Sequence, residues 1–380
     1  MASSVYYYNN NSHKFNEAIL VLFRACTPRI DENIIFGGRS VFNGLLVLYL
    51  SSDAGGKRVY DMLRTCPPPC SSIKSVTVLF YKTDLTGQLS PNFINNMKKM
   101  KKMNNFIFVD VPHTSYGVVP DSAYLDINNF ISLSTENVIN NSITPQSFSY
   151  NSKVMLRTTT IFSDTWIHHF DEGNTKPYRF HTGPNSVILL QMMMTNNIVE
   201  IPKISLTNAT VFKIPYDNGV SMIVYMPDNP AKYEQLHDDI SALSKDNRFG
   251  KLQQQLQNCS KHHDILRMPK FNYQTTTNIT RGINAVKPFS LFNMSEMFQD
   301  TRLAPSELSH EIYNRIDNNE IGTTTYSEYT AFGYDSPSSG TTGLTINKPF
   351  GFFIVQDSGH IINLGIFTGI GFEISSINTH

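Results

Sequence analysis

The segment Ser40–Leu50 restricts the fold of this chain more than any other stretch. It reads SVFNGLLVLYL, and as a helix it would be apolar on nearly every face. Such a helix is stable only when protein surrounds it, so the segment predicts a large core with this helix near its centre. The chain has 380 residues, enough for one large domain or two ordinary ones.

The charge balance argues against several classes of partner. The chain has 31 Lys and Arg against 31 Asp and Glu, so no net charge draws it to nucleic acid or to an anionic membrane. One basic cluster, on the predicted helix Ser90–Met103, favours a solvated helix end over a polyanion site. Its members are Lys98, Lys99, Lys101 and Lys102.

Targeting signals are missing from the sequence. Met1–Lys14 lacks the basic and apolar segments of a signal peptide, and no run of 18 uncharged apolar residues predicts a transmembrane helix. We therefore expect a cytoplasmic protein, with secretion left open.

Apolar periodicity predicts a mixture of helices and strands, with sheet dominating the second half. The predicted helices are Phe15–Cys26, Ser40–Leu50, Ser90–Met103, Asp126–Ile139, Tyr233–Gln257 and a short one near Ser290–Phe298. The predicted strands are Asn33–Phe36, Ser75–Tyr81, Phe106–Val111, Lys153–Phe162, Ser186–Met194, Ala209–Ile214, Ser221–Met226, Leu266–Gln274 and Phe350–Val355.

Enzyme and metal signatures are weak. The chain has no Gly-x-Ser-x-Gly elbow, phosphate loop or His-Glu-x-x-His motif. Cys259 with His262 and His263 lacks a second pair of ligands, and His168-His169 would point to opposite faces of a strand. Cys66 and Cys70 have three residues between them where a zinc or redox pair has two. We expect no catalytic residue, no metal and no cofactor.

Six strings of residues resemble sequence motifs of the serpin superfamily, and they occur in the order in which the family has them. One of them is Lys213–Pro227, similar to the family's paired strands Leu-Pro-Tyr-x-x-x-x-Ser-Met-x-x-x-Leu-Pro. The others are Asn33–Leu50, Ile127–Ile131 with Thr135, Thr158–Trp166, Met268–Phe271, and Asn347–Ile354 with Gly359–Phe367. The short stretch between Leu63 and Ser75 resembles the trimmed serpins of poxviruses, which suggests a viral origin.

This resemblance implies a mixed α/β (α+β) serpin fold with three β-sheets, about eight helices and an exposed reactive-centre loop. Residues 1–14 would form an N-terminal tail and residues 15–380 a single domain, with the loop at about 322–346. A serpin inhibits without turnover, because a protease cuts the loop and the loop then inserts into the main sheet as a new strand.

The hinge that would insert departs from the family pattern. In inhibitory members the hinge is similar to Glu-Glu-Gly-Thr-Glu-Ala-Ala-Ala-Ala-Thr. Here it begins Glu320-Ile-Gly322, and the alternate side chains that would enter the core are Thr323, Thr325, Ser327 and Tyr329. Tyr329 stands where the family has Thr, and its ring would overpack the site by about 1–3 kcal/mol. Tyr326 and Glu328 on the other face are bulky but tolerable.

The region that must part to admit the loop also differs from the family. Ser40 is retained, but Gly37-Gly38 replaces Ser-Pro and Thr158 occupies the position of a cross-linking Asn. His310 corresponds to the family's histidine if two extra residues are accepted before Gly322.

The resemblance implies a reactive centre within Asp335, Ser336, Pro337 and Ser338. Counting from Gly322 as in the family places the specificity residue at Ser336, before a proline that serine proteases cleave poorly. A register one residue earlier would present Asp335 to an aspartate-specific protease.

Two functions stay open at this point. The chain is either a divergent viral serpin that inhibits weakly or not at all, or a functional inhibitor of a serine or cysteine protease. The expected partner is a host protease, or another host or viral protein, met by a monomer.

Overall fold

The computed structural model describes most of the chain. The described residues are 10–27, 32–50, 67–68, 70–82, 89–104, 107–113, 121–140, 143, 154–183, 185–229, 235–279, 282, 307–316 and 343–372.

Six α-helices and sixteen strands lie in these ranges. The helices are α1 Asn10–Cys26, α2 Gly38–Leu50, α3 Pro91–Asn104, α4 Asp121–Ser134, α5 Leu236–Ala242 and α6 Arg248–Asn258. The first nine strands are β1 Ile34–Gly37, β2 Ile73–Lys82, β3 Ile107–His113, β4 Val154–Phe162, β5 Lys176–Gly183, β6 Ser186–Met194, β7 Val199–Ser205, β8 Ala209–Pro215 and β9 Val220–Pro227. The remainder are β10 Lys261–Asp264, β11 Leu266–Pro269, β12 Phe271–Asn278, β13 Glu307–Ile316, β14 Leu344–Thr345, β15 Phe350–Gln356 and β16 Ile361–Phe367.

The strands form three sheets, the number that the serpin resemblance implies. The orders are β1-β16-β15-β9-β8-β7-β10, β14-β11-β6-β5 and β12-β13-β4-β2-β3. Helix α2 lies between two of them, since it packs on β16 of the seven-stranded sheet and on β2 and β4 of the five-stranded sheet. Its side chains from Gly38 to Leu48 are buried, which confirms that this helix lies near the centre of a large core.

Three clusters of buried apolar residues hold these layers together. The first joins α1, α2, α5 and α6 to the seven-stranded sheet, and the second fills the space between that sheet and the four-stranded one. The third lies between the five-stranded sheet and the segment formed by α4 and the residues after it. None of the helices in the described ranges is both long and apolar enough to cross a bilayer.

Several predicted boundaries are wrong, each for a local reason. Helix α4 begins at Asp121, before the predicted start at Asp126. It ends at Ser134, because Glu136 and Asn137 take positive φ angles of 54° and 61°. The predicted helix Tyr233–Gln257 contains α5 and α6, separated at Asp246 and Asn247, whose φ angles are 52° and 54°. Apart from Glu136, these residues are Asp or Asn, whose side chains tolerate this left-handed region.

Two further boundaries differ from the sequence prediction. The predicted strand Leu266–Gln274 is divided after Pro269, because β11 belongs to the four-stranded sheet and β12 to the five-stranded one. Helix α1 begins at Asn10, within the predicted N-terminal tail. The predicted helix near Ser290–Phe298 lies outside the described residues.

Candidate functional site

Strands β4 and β13 lie side by side at the centre of the five-stranded sheet and run in the same direction. Their register runs from Glu307 opposite Met155 to Asn314 opposite Phe162. Parallel neighbours cannot be joined by a tight hairpin. A segment that left β13 at Ile316 and turned back would therefore be antiparallel to both strands if it entered between them. The topology thus offers a site where one more strand can be added.

Both faces of β4 are buried along this line. Leu156, Thr158 and Thr160 point to the α2 side, and Arg157 and Thr159 point to the α4 side, each no more than 6% exposed. An inserted strand would therefore meet packed protein on either face, so the size of each inserted side chain matters.

One row of residues crosses the sheet at the level of Thr158. Thr77, Thr158, His310 and Thr277 are successive partners on β2, β4, β13 and β12. The structure thus places Thr158 and His310 next to each other. That Ser40, Thr158 and His310 belong to the region that must part to admit the loop stays a prediction.

Glycine at position 44 allows α2 to approach this row. A Cβ atom on Gly44 would lie only 3.2 Å from Cγ2 of Thr158.

The first turn of α2 is also closely packed. Ser40 is buried there, and its hydroxyl donates to the Gly37 carbonyl at 3.3 Å. A Cβ atom on Gly38 would meet the Ile361 carbonyl oxygen at 2.9 Å, so glycine at this position allows close contact with β16.

A second polar connection, which the sequence reasoning missed, joins α2 to β2 and β4. The Asn43 amide nitrogen donates to Ser75 Oγ at 3.1 Å, and Ser75 Oγ lies 2.9 Å from Thr160 Oγ1. All three residues are buried. The signal was a lone amide inside the apolar run Ser40–Leu50, together with hydroxyls on the inner faces of two predicted strands.

The opposite face of the sheet is covered by α4 and the chain after it. Ile131, Ile139 and Ile143 pack on Val76, Val78 and Ile161. The Asn128 side chain holds this cover together, since it donates to the Ile143 carbonyl at 2.7 Å and accepts from the Ile143 amide at 2.9 Å. An ion pair between Lys74 of β2 and Glu136 joins the cover to the sheet.

The chain after β4 is joined to the seven-stranded sheet through Trp166. The indole stacks on the Tyr216 ring with centroids 3.9 Å apart, and the Asp217 amide donates to the Thr165 carbonyl at 2.9 Å. Burial, with a smaller contribution from Asp164, raises the pKa of Tyr216 well above its usual range, so this phenol stays neutral.

The comparisons with known proteins agree with this architecture. The family model described as serpin (serine protease inhibitor) matches residues 23–369. The chain belongs to the serpin family. Serine proteinase inhibitor 2 of Myxoma virus (strain Uriarra) is 24% identical over 316 residues, covering 81% of this chain and 87% of the relative. The protein of the same name from Cowpox virus (strain Brighton Red) is 23% identical over 350 residues, covering 83% and 96%.

Solved serpin structures share the fold at low sequence identity. Native protease nexin-1 with heparin superposes with a TM-score of 0.72 at 15% identity, covering 94% of this chain and 98% of that one. Uncleaved ovalbumin gives 0.71 at 17% identity, covering 94% and 99%. The chain therefore has the serpin fold that the sequence resemblance predicts.

The predicted hinge and reactive-centre residues of this serpin lie within 317–342, outside the described residues. Glu320, Gly322, Thr323, Thr325, Ser327 and Tyr329 of the hinge lie there, as do Asp335, Ser336, Pro337 and Ser338. The described chain resumes at Gly343, and β14 then pairs in parallel with β11 at the edge of the four-stranded sheet.

The other candidate residues are found in different surroundings. His263 Nε2 and Lys261 Nζ both approach the Glu200 carboxylate, at 3.2 and 2.9 Å, on the edge strand β10. Those contacts lower the pKa of Glu200, and the hydrogen bond from Lys261 has the largest effect. Burial lowers the pKa of His168 despite a hydrogen bond to the Glu200 backbone. No group of three metal-ligating side chains lies within the described ranges.

Proposed function

We propose that this serpin acts on a host protein through its folded scaffold and inhibits proteases weakly or not at all. The observation that carries the proposal is the size of Tyr329 set against the closed packing around β4, where Thr158 and Thr160 are fully buried. If the hinge register follows the family, the Tyr329 ring would have to enter that layer. Overpacking of this kind costs about 1–3 kcal/mol.

We further propose a viral origin for this protein and a partner in the host cell. The two poxvirus relatives support a viral origin, and a viral protein that stays in the host cytoplasm would meet host proteins there. We propose that it meets its partner, a host protease or another host or viral protein, as a monomer.

The second candidate function is inhibition by loop cleavage and insertion. One observation favours it, namely the direct pairing of β4 with β13, which leaves the position for an added strand unfilled. The bond that the protease cleaves would lie within Asp335–Ser338, and Asp335 would suit an aspartate-specific cysteine or serine protease. Pro337 argues against cleavage after Ser336 by an ordinary serine protease.

The two candidates differ in what happens after the loop is cut. The loop of the purified protein is nicked with a nonspecific protease, the cut is located by mass spectrometry, and the melting temperatures of intact and nicked protein are compared. The first candidate predicts nearly equal melting temperatures. A rise of tens of degrees would show insertion and reject it in favour of the inhibitor.

A second assay then identifies the protease class. If nicking raises the melting temperature, intact protein is incubated with aspartate-specific proteases. The mixture is run on a denaturing gel beside a parallel incubation of the Asp335→Ala variant. An inhibitor that uses Asp335 forms a covalent complex, which the variant does not form.

A further inference from the structure

We infer that the hydrogen bond from Asn43 to Ser75 is a latch that holds the five-stranded sheet closed in this chain, with Thr160 orienting the Ser75 hydroxyl. The inference rests on the proposed function, since it concerns the sheet that a cleaved loop would have to enter. It assigns a positioning role to Asn43, Ser75 and Thr160, none of which belongs to the sheet-opening residues that the sequence analysis identified.

The contacts of α2 define which parts of the molecule stay together. Helix α2 follows β1 directly and packs on β16, and β1 is hydrogen-bonded to β16, so α2 belongs to the seven-stranded sheet. Strands β12 and β13 contact β1, and Thr275 Oγ1 donates to the Ile35 carbonyl at 2.8 Å. The β12–β13 pair is thus tied to the same frame as α2.

The other half of the five-stranded sheet is built differently. Strands β3, β2 and β4 are hydrogen-bonded to one another and carry α4 through the Lys74–Glu136 ion pair and the cluster of isoleucines and valines. Strands β2 and β4 of this half contact α2, and the Asn43 to Ser75 hydrogen bond lies in that contact. Opening a space between β4 and β13 therefore displaces β2, β3 and β4 across α2.

The displacement needed is the spacing of one added strand, about 4.8 Å. The pairing of β2 with β4 is retained in such a movement, so the Ser75 to Thr160 contact can survive it. The Asn43 to Ser75 bond cannot, because a bond of 3.1 Å is lost when its partners separate by that distance. Breaking it leaves a buried amide donor unpaired, which costs more than the bond contributes when formed.

The geometry of the three side chains suits this role. A serine hydroxyl has one proton and two acceptor lone pairs. With one lone pair taken by the Asn43 amide, the Ser75 proton is available for Thr160 Oγ1 at 2.9 Å. Asn43 Oδ1 has no partner in the described structure, so the amide is held through its nitrogen and the latch depends on Ser75.

Thr77 provides a matched control. It lies two residues along β2 on the same face as Ser75, it is fully buried, and its hydroxyl oxygen has no hydrogen-bond partner in the described structure. Thr77→Val therefore removes a buried hydroxyl from the same layer without touching the latch. Ser75→Thr retains the hydroxyl and serves as the conservative rescue.

The test is hydrogen exchange of the intact, uncut protein, measured for wild type, Ser75→Ala, Asn43→Leu, Ser75→Thr and Thr77→Val. The latch predicts that Ser75→Ala and Asn43→Leu accelerate exchange about tenfold at the amides shared by β4 and β13, with Thr77→Val and Ser75→Thr near wild type. The amides shared by β8 and β9 report global unfolding, and their exchange rates should stay at the wild-type value.

Equal acceleration in Ser75→Ala and Thr77→Val, or no local change in Ser75→Ala and Asn43→Leu, would overturn the latch. So would an acceleration that is as large in β8 and β9 as in β4 and β13, because that is the signature of general destabilisation. None of these outcomes depends on whether a cut loop inserts, so the latch and the proposed function can fail separately.

Discussion

Replacing Trp166 by alanine tests the seam between the five-stranded and seven-stranded sheets. The indole is 2% exposed, it stacks on Tyr216, and it forms an edge-to-face pair with the Phe170 ring at a centroid distance of 5.8 Å. Truncating a buried tryptophan costs about 3–5 kcal/mol, and this includes the contribution of about 0.5–1.5 kcal/mol that an aromatic pair makes beyond its buried area. We expect Trp166→Ala to lose about 4 kcal/mol of unfolding free energy.

The assay is urea unfolding followed by far-ultraviolet circular dichroism, because the substitution removes the only tryptophan of the chain. Trp166→Phe should recover more than half of the loss, since a ring remains in the stack. Ile167→Ala is the control, as Ile167 is 47% exposed and its truncation should change stability by no more than about 0.5 kcal/mol. A loss below about 1 kcal/mol in Trp166→Ala, or equal losses in the alanine and phenylalanine variants, would refute the reasoning.

Three further predictions follow from other parts of the chain. Tyr329→Thr should raise the melting temperature of the loop-nicked protein relative to its intact form, and an unchanged difference would show that the ring is not the obstacle. Ser90→Ala should cost about 0.5–2 kcal/mol by removing the bond from the Phe93 amide to Ser90 Oγ at 3.1 Å, whereas Ser90→Asp should retain it. Burial raises the pKa of Cys26 from 9.0 to about 12, so the stability due to its neutral thiol is complete below pH 9 and is lost as pH rises towards 12. The urea midpoint of Cys26→Ala should therefore fall less steeply over that range, and an identical slope would contradict the assignment.

The sequence was informative wherever a local pattern determined the structure. The largely apolar run at Ser40–Leu50 predicted a central helix, and the helix predicted from Ser90 corresponds to α3, where the Phe93 amide donates to Ser90 Oγ. Three sheets followed from the family resemblance, and the structure has them.

Long-range pairing explains what the sequence could not predict. Strand β13 has the sequence ELSHEIYNRI, too polar to be recognised as a strand, yet it pairs with β4 and β12 at the centre of a sheet. The position of His310 beside Thr158 depends on that register. The Asn43–Ser75–Thr160 connection joins residues separated by 32 and 85 positions, which no local pattern reveals.

Hydrogen exchange of the hinge in the loop-nicked protein tests the central claim most directly. The measurement follows peptides from residues 322–335 before and after the cut, in wild type and in Tyr329→Thr. If the Tyr329 ring obstructs insertion and the latch resists opening of the sheet, these amides exchange in the nicked wild-type protein as fast as in the intact one. Amides of the cut hinge that become as protected as those of β4 would show an inserted strand, and would contradict the account.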